Sequence, residues 1–237
     1  MRFLNLSLPL PAENLALDEA LLELSEASGE EILRFWQSDE HFIVLGYSNK
    51  ARLHADLERC ADERVSVLRR VTGGGTVLQG PGCLNFALAL KTGSPAHRSV
   101  TATNAYVLER HARALSRLLG KPVERRGETD LTIGGRKISG NAQRRRSHAI
   151  LFHGSFLLGL DLARMERLLP LPPLRPAYRL GRPYAGFVAN LGLPAAPVVQ
   201  ALRREWEAHR PLTVIPLERV KDLVRTKYSD PDWNLKF

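Results

Sequence analysis

The chain has 237 residues, of which 44% are hydrophobic and 25% charged, the composition of a globular protein with enough apolar side chain for a sizeable core. No apolar run approaches the ~20 residues that span a bilayer, the N-terminal stretch carries acids early and lacks a cleavable signal pattern, and two cysteines are too few for a disulfide scaffold or a cysteine metal site. Those exclusions point to the cytoplasm, while the formal charge of +9 asks for a polyanionic or acidic partner without choosing among nucleic acid, acidic protein and nucleotide.

Residues 13–27, ENLALDEALLELSEA, put Leu15 and Leu22 on one apolar face, which predicts an amphipathic helix with Asn14 near its start. ILRFW from Ile32, HFIVLGY from His41 and residues 65–71 read as strands, rich in β-branched and aromatic side chains. Three consecutive glycines follow in RRVTGGGTV, and CLNFALAL then reads as a buried strand. Residues 103–119 carry apolar positions at helical spacing and end at Gly120, a helix with a glycine stop. DLTIGGRKISGNAQ reads as two short strands around Gly134 and Gly135, and AILFHGSFLL as another strand. A proline-rich loop covers residues 170–178 and a late helix residues 198–209. Helices and hairpins mix without strict alternation, so the expected class is α+β, in one domain over residues 1–237.

Two features carry chemistry. Glycine costs more backbone entropy on folding than any other residue, so a run of three after Arg69 and Arg70 suits a backbone that something must approach. Backbone N–H groups there can meet a phosphate or carbonyl, and the arginines supply charge-assisted hydrogen bonds to an anion. The stretch matches neither the phosphate loop nor the dinucleotide glycine pattern, and a structural turn accounts for it as well. Lys137 lies among Gly134, Gly135 and Gly140, where backbone approach is open. By itself such a lysine reads as a solvated surface group.

In combination and order, RRVTGGGTVLQGPGCLNF, ETDLTIGGRKISGNAQ and FHGSFLL closely resemble the lipoate protein ligase family, within the biotin and lipoate protein ligase superfamily. The opening NLALDEALL and the late RPYAGFVANL agree, so the resemblance spans most of residues 13–191. It implies mixed, mainly antiparallel sheets flanked by helices, and a two-step reaction with ATP and Mg²⁺. Lipoate is joined to AMP, then passed to a lysine of an acidic lipoyl carrier domain. That carrier is a 2-oxoacid dehydrogenase subunit, a glycine cleavage H protein or a related lipoate-binding protein. The resemblance puts Lys137 at the reacting carbonyl and phosphate oxygens, with Arg70, Thr72, Gly73, Gly74 and Gly75 along the acyl phosphate and nucleotide. Val77 and Asn85 follow on the next strands, and Thr129 and Asp130 precede the hairpin, Asp130 being a possible metal ligand. Ser139, Gly140, Ala142, His153 and Gly154 complete the implied set. His153 reads equally as a hydrogen-bonded histidine at a strand end. The apolar half of the substrate is expected on residues 36–47 and 77–86.

Octanoyltransferases share the fold and the lysine but work through a cysteine thioester. One group carries that nucleophile in the loop before the hairpin, and KPVERRGETDL has none. Cys83 is the substitute candidate, though at the start of an apolar strand it reads as a small hydrophobe. A nucleic-acid-binding protein on a ligase fold draws support from Arg144, Arg145 and Arg146, and is disfavoured by the lack of any reading element. Many bacterial ligases of this kind carry a further accessory domain. This sequence is expected to lack one, being complete in a single domain or served by a separately encoded accessory protein.

Overall fold

A computed structural model describes residues 1–237. The strands are β1 (Arg2–Asn5), β2 (Ile32–Trp36), β3 (Phe42–Leu45), β4 (Ser66–Arg69), β5 (Val77–Gln79), β6 (Cys83–Lys91), β7 (Glu124–Arg126), β8 (Asp130–Ile133), β9 (Arg136–Arg145), β10 (Ala149–Leu157) and β11 (Arg210–Pro211). Eight of them form one sheet in the order β11-β1-β2-β6-β10-β9-β8-β7, parallel at β11-β1-β2 and antiparallel from β2 onward. A second sheet has β3 between parallel β4 and antiparallel β5. The α+β class and the mainly antiparallel sheets agree with expectation. The helices are α1 (Pro11–Ser28), α2 (Ala51–His54), α3 (Leu57–Asp62), α4 (Val100–Leu119), α5 (Leu162–Leu168), α6 (Tyr184–Phe187), α7 (Ala195–Glu205), α8 (Leu217–Leu223) and α9 (Pro231–Asn234). None is long and apolar enough to cross a membrane.

Strand alternation sorts the core. On β6, Ala87 and Ala89 face one way and join α1 residues such as Leu17 and Leu21 in a first apolar cluster. Phe86, Leu88 and Leu90 face the other way, against Leu108 and Leu115 of α4 and Val198 and Leu202 of α7. A third cluster joins Ile43, Leu45 and Leu78 of the small sheet to Cys83, Leu157 and Met165. The small residues at 87 and 89 let α1 approach the sheet closely.

Three helix starts differ from the sequence reading, the simplest being α4, which begins at Val100 rather than at residue 103, with Ser99 as its N-cap. α1 begins at Pro11, whose missing N–H costs nothing in a first turn, and Glu13 turns back to accept from the Leu10 N–H at 3.0 Å. Asn14 is therefore inside the helix, not at its cap. α7 starts at Ala195 and stops at Glu205, with Glu207 in the left-handed region at φ 50°. By contrast α4 ends at Gly120, at φ 64°, as its sequence predicts.

The second cluster encloses a histidine with a consequence for acid stability. His111 is fully buried, accepts at Nε2 from the Trp206 indole N–H at 2.9 Å, and sits edge-on to the Phe86 ring. Burial, reinforced by nearby Arg110, pushes it down to about 3. Unfolded histidine takes up a proton below pH ~6.5, and folded His111 does so only near its depressed value, so stability falls with pH through that window. Roughly 3 kcal/mol is expected to be lost between pH 7 and about pH 4.5 through this group. Urea unfolding at the two pH values should show that difference shrinking in His111→Gln.

Candidate active site

Between the first and third apolar clusters, the same face of the large sheet changes character. Asn85 on β6, His153 and Ser155 on β10, and Gly140 and Ala142 on β9 form a strip of polar and small side chains that floors a cavity of about 320 Å³. Helices cannot pack onto such a strip without leaving polar groups unpaired, so the sheet stays open there.

The β8–β9 hairpin turns at Gly134 and Gly135, at φ 55° and 73°, values glycine adopts without strain. A strict period of two would put residues 137 and 140 on opposite faces. A register shift between Leu131 and Thr132 inserts an extra residue on β9 and brings Lys137 over Gly140. A Cβ on Gly140 would stand 2.8 Å from both Cε and Nζ of Lys137, so a side chain there would turn the lysine head away from its present position. The ammonium pairs with Asp130 Oδ1 at 2.7 Å, and Asp130 Oδ2 accepts from Tyr178 O–H at 2.7 Å. Burial and the neighbouring carboxylate push Tyr178 up, which keeps it a donor. The proline-rich loop is thereby tied to the hairpin.

Arg70 builds the glycine loop from inside. Its guanidinium donates to Thr72 Oγ1 at 2.9 Å, to the carbonyls of Gly73 and Gly75 at 2.6 and 2.7 Å, and to Val44 O at 3.3 Å. Burial pushes it down to about 10, so it stays charged at neutral pH, and no carboxylate forms an ion pair with it. Its partners are all protein acceptors, so what it offers the cavity is positive potential. Gly74 lies at φ +88°, and a Cβ on Gly46 would stand 2.1 Å from the Gly74 carbonyl oxygen. Gly73 and Gly75 face open space. The loop is thus held from behind and bare in front, as backbone recognition of an anion requires.

Behind the loop runs a buried polar chain. Thr72 Oγ1 lies 2.7 Å from His153 Nε2, and His153 Nδ1 lies 3.2 Å from Asp18 Oδ2. A carboxylate only accepts, so the network assigns the proton to Nδ1, and Nε2 accepts from the Thr72 hydroxyl while that oxygen accepts from Arg70. Asp18 Oδ1 pairs at 2.6 Å with Arg34, which is fully buried and also donates to Asn14 Oδ1 and the carbonyls of Leu6 and Asn14. Burial pushes Arg34 down and Asp18 opposes the shift.

Among the residues anticipated from sequence, β9 brings Lys137, Gly140 and Ala142 to the cavity, and β10 brings His153 and Gly154. Arg70, Gly75, Val77 and Asn85 line another wall, with Thr129 and Asp130 at the hairpin base. Thr72, Gly73, Gly74 and Ser139 do not line it. Gly154 is a packing glycine, since a Cβ there would stand 2.1 Å from Asn141 Oδ1. Sequence reading missed Asp18, Arg34, Tyr178 and Arg179. Arg179 is buried against the rings of Tyr184 and Phe187 and lines the cavity, with Nη2 unpartnered. Asn14 and Asp18, four apart on the apolar face of α1, were a legible signal of a buried polar network. No signal after the proline-rich loop singled out Arg179.

Neither cysteine reaches the cavity. Cys83 is fully buried in the third cluster, and burial pushes its thiol up to about 12; Cys60 is likewise pushed up to about 11. The basic run is spent internally: Arg144 donates to Val71 O, Arg145 to Thr103 Oγ1 and the His97 carbonyl, and Arg146 to Glu23.

Known proteins resemble this chain in sequence and in fold. Residues 10–183 match the family described as lipoyl protein ligase A/B catalytic domain. A relative from Aeropyrum pernix that carries the lipoate-protein ligase A name is 35% identical over 67% of this chain, and the chain spans 58% of that relative's length. The octanoyltransferase LipM of Geobacillus kaustophilus is 30% identical over 99% of this chain and 98% of its own. A crystal structure of lipoate-protein ligase A bound with ATP superposes with a TM-score of 0.86 at 26% identity, covering 99% of this chain and 98% of that one. The bi-partite lipoate protein ligase of Thermoplasma acidophilum, described with its E2 lipoyl domain, gives 0.86 at 27% identity over 99% and 95% of the two chains. The chain belongs to the lipoyl protein ligase A/B catalytic-domain family and is an enzyme of the lipoate ligase kind.

Proposed function

We propose that this enzyme activates lipoate with ATP and transfers the lipoyl group to a lysine of an acidic lipoyl carrier domain. The lipoate carboxylate attacks the α-phosphorus of ATP and pyrophosphate leaves. The carrier amine then attacks the acyl carbonyl, AMP departs with the bonding electron pair, and the nitrogen gives up one proton to the departing phosphate or to water, leaving the amide. Both steps develop negative charge near one carbonyl, where a fixed donor is worth on the order of 3 kcal/mol. The observation that carries the reading is the placement of the charges: Lys137 and the unpaired cation of Arg70 meet one cavity beside a bare glycine loop, while both thiols are buried elsewhere. A magnesium ion brought by the nucleotide would neutralise its phosphates; Glu128 is the carboxylate at the cavity that would meet it or its water shell, since Asp130 already holds Lys137 and Tyr178 through its two oxygens. The positive balance of the chain suits an acidic carrier, and the Thermoplasma relative is described with a lipoyl domain. The reading is of a cytoplasmic enzyme.

Octanoyl transfer from a carrier protein is the second reading, favoured by the full-length similarity to the Geobacillus octanoyltransferase. It needs a thiolate at the cavity, and the burial of Cys83 and Cys60 weighs against it. Intact mass of an apo lipoyl domain separates the two. With lipoate and Mg-ATP the domain is expected to gain a lipoyl group, and with octanoyl carrier protein and no ATP to stay unmodified. The reverse pattern would establish the octanoyltransferase. Because one relative is bi-partite, adenylation is read separately by pyrophosphate release.

A further inference from the structure

Of the two arginines before the glycine run, Arg69 never reaches the cavity, yet three segments of the chain meet on it. Strand β4 is an outer strand of the small sheet, and the Arg70 N–H donates inward to the Leu45 carbonyl at 3.0 Å, so the N–H and C=O of Arg69 point outward. Both are taken by side chains of α9. Asn234 Oδ1 accepts from the Arg69 N–H and the Trp233 indole N–H donates to the Arg69 carbonyl, each at 2.9 Å. Two side chains thus stand where a neighbouring strand would otherwise satisfy the edge.

The fully buried side chain of Arg69 ties the same segment to a turn. It donates to the carbonyls of Trp233 and Lys236 at 3.1 and 2.6 Å, and to those of Gly46, Tyr47 and Asn49 at 2.9, 3.0 and 2.8 Å. Asn234 is anchored in turn through α1: it donates to the Tyr228 carbonyl at 2.9 Å, and the Tyr228 hydroxyl donates to Glu19 Oε2 at 2.8 Å. The 46–49 turn backs the glycine loop. Its Tyr47 N–H donates to the Thr72 carbonyl at 2.8 Å, and Asn49 Oδ1 accepts from the Gly46 N–H at 2.8 Å and from the Thr76 hydroxyl at 3.2 Å. At Gly46 the approach to the Gly74 carbonyl leaves no space for a Cβ. Neither Arg69 nor any α9 residue lines the cavity.

We propose that Arg69, Trp233 and Asn234 are positioning residues for anion recognition. Clamped by α9, the Arg69 guanidinium holds the 46–49 turn against the glycine loop and so sets the N–H groups that meet the nucleotide phosphates. The inference rests on the acyl-activating reading above. Backbone donors stabilise an anion best where their geometry is fixed before it arrives. A loosened clamp therefore weakens nucleotide binding, while the acid, whose carboxylate meets Lys137 on β9, binds as before.

The test is calorimetric binding of the magnesium complex of α,β-methylene-ATP and, separately, of lipoate to the full chain. Asn234→Ala is expected to bind the nucleotide about ten-fold more weakly, the effect of one well-placed hydrogen bond, with lipoate affinity changed less than about two-fold. Gly46→Ala, at a backbone outside the left-handed region, presses directly on the Gly74 carbonyl and should give the same split. Because both changes act through one contact, the double variant is expected to lose less than the product of the two. Trp233→Phe removes the indole N–H and serves if Asn234→Ala does not fold. A lower melting temperature with nucleotide affinity unchanged, an equal loss for nucleotide and lipoate, or fully multiplicative losses in the double variant would overturn the inference and leave the proposed activity standing. Wild-type protein that binds lipoate but no nucleotide would remove both.

Discussion

Lys137→Ala is expected to lower acyl transfer by about 10²- to 10³-fold, the effect of losing one well-placed donor to a developing oxyanion. The fold should survive, because the side chain is 24% exposed and its one ion pair is with Asp130 at the cavity edge. Far-UV circular dichroism and the melting temperature are expected near wild type, and intact-mass assays to lose the product. Lys137→Arg should rescue little. A planar guanidinium cannot take the same point position beside Asp130 and over Gly140. Near-normal turnover in the alanine variant would remove Lys137 from the chemistry.

The largest stability loss is expected at Asp18. Its carboxylate is 3% exposed and holds the fully buried Arg34 at 2.6 Å, so Asp18→Ala leaves a guanidinium in the core without its counter-charge. Breaking such a pair from one side costs ~3–5 kcal/mol, which corresponds to a melting temperature lower by about 10 °C in a chain of this size. Activity should fall as well, because Asp18 also orients His153 and, through Thr72, the arginine that shapes the glycine loop. A double variant, Asp18→Leu with Arg34→Met, is expected to recover much of the stability and none of the activity, since apolar replacements remove the desolvation cost but not the need to orient His153. If Asp18→Ala unfolds in urea within about 1 kcal/mol of wild type, the carbonyls of Leu6 and Asn14 suffice for Arg34.

Legibility followed the range of the interactions. The strand ILRFW occupies Ile32–Trp36, and the Gly134–Gly135 turn has both residues at positive φ, because those features depend on neighbours in the chain. The short elements α2, α3 and α5 were not foreseen, nor was the edge strand β7. Segments of three to seven residues carry too few positions for a period to register, and ERR of β7 is polar throughout and becomes a strand only by pairing with β8. The helix expected over residues 198–209 begins three positions earlier, at Ala195, because Pro197 falls in its first turn, where a missing N–H is tolerated.

The chain's own order of residues sufficed for the α+β class, for the glycine run behind two arginines, and for Lys137 on a hairpin strand. Each is encoded in local conformational preference or in the spacing of side chains along one element. Which charges stay free was decided by the tertiary structure. Arg69 and Arg70 are adjacent in sequence, yet Arg69 is spent on the carbonyls of Trp233, Lys236 and the 46–49 turn, while Arg70 shapes the cavity wall without a counter-ion. Lys137 meets Gly140 only because a bulge shifts the register of β9 against β8. Partner identity depends on elements far apart in the chain arriving at one place, and neither composition nor periodicity carries that information.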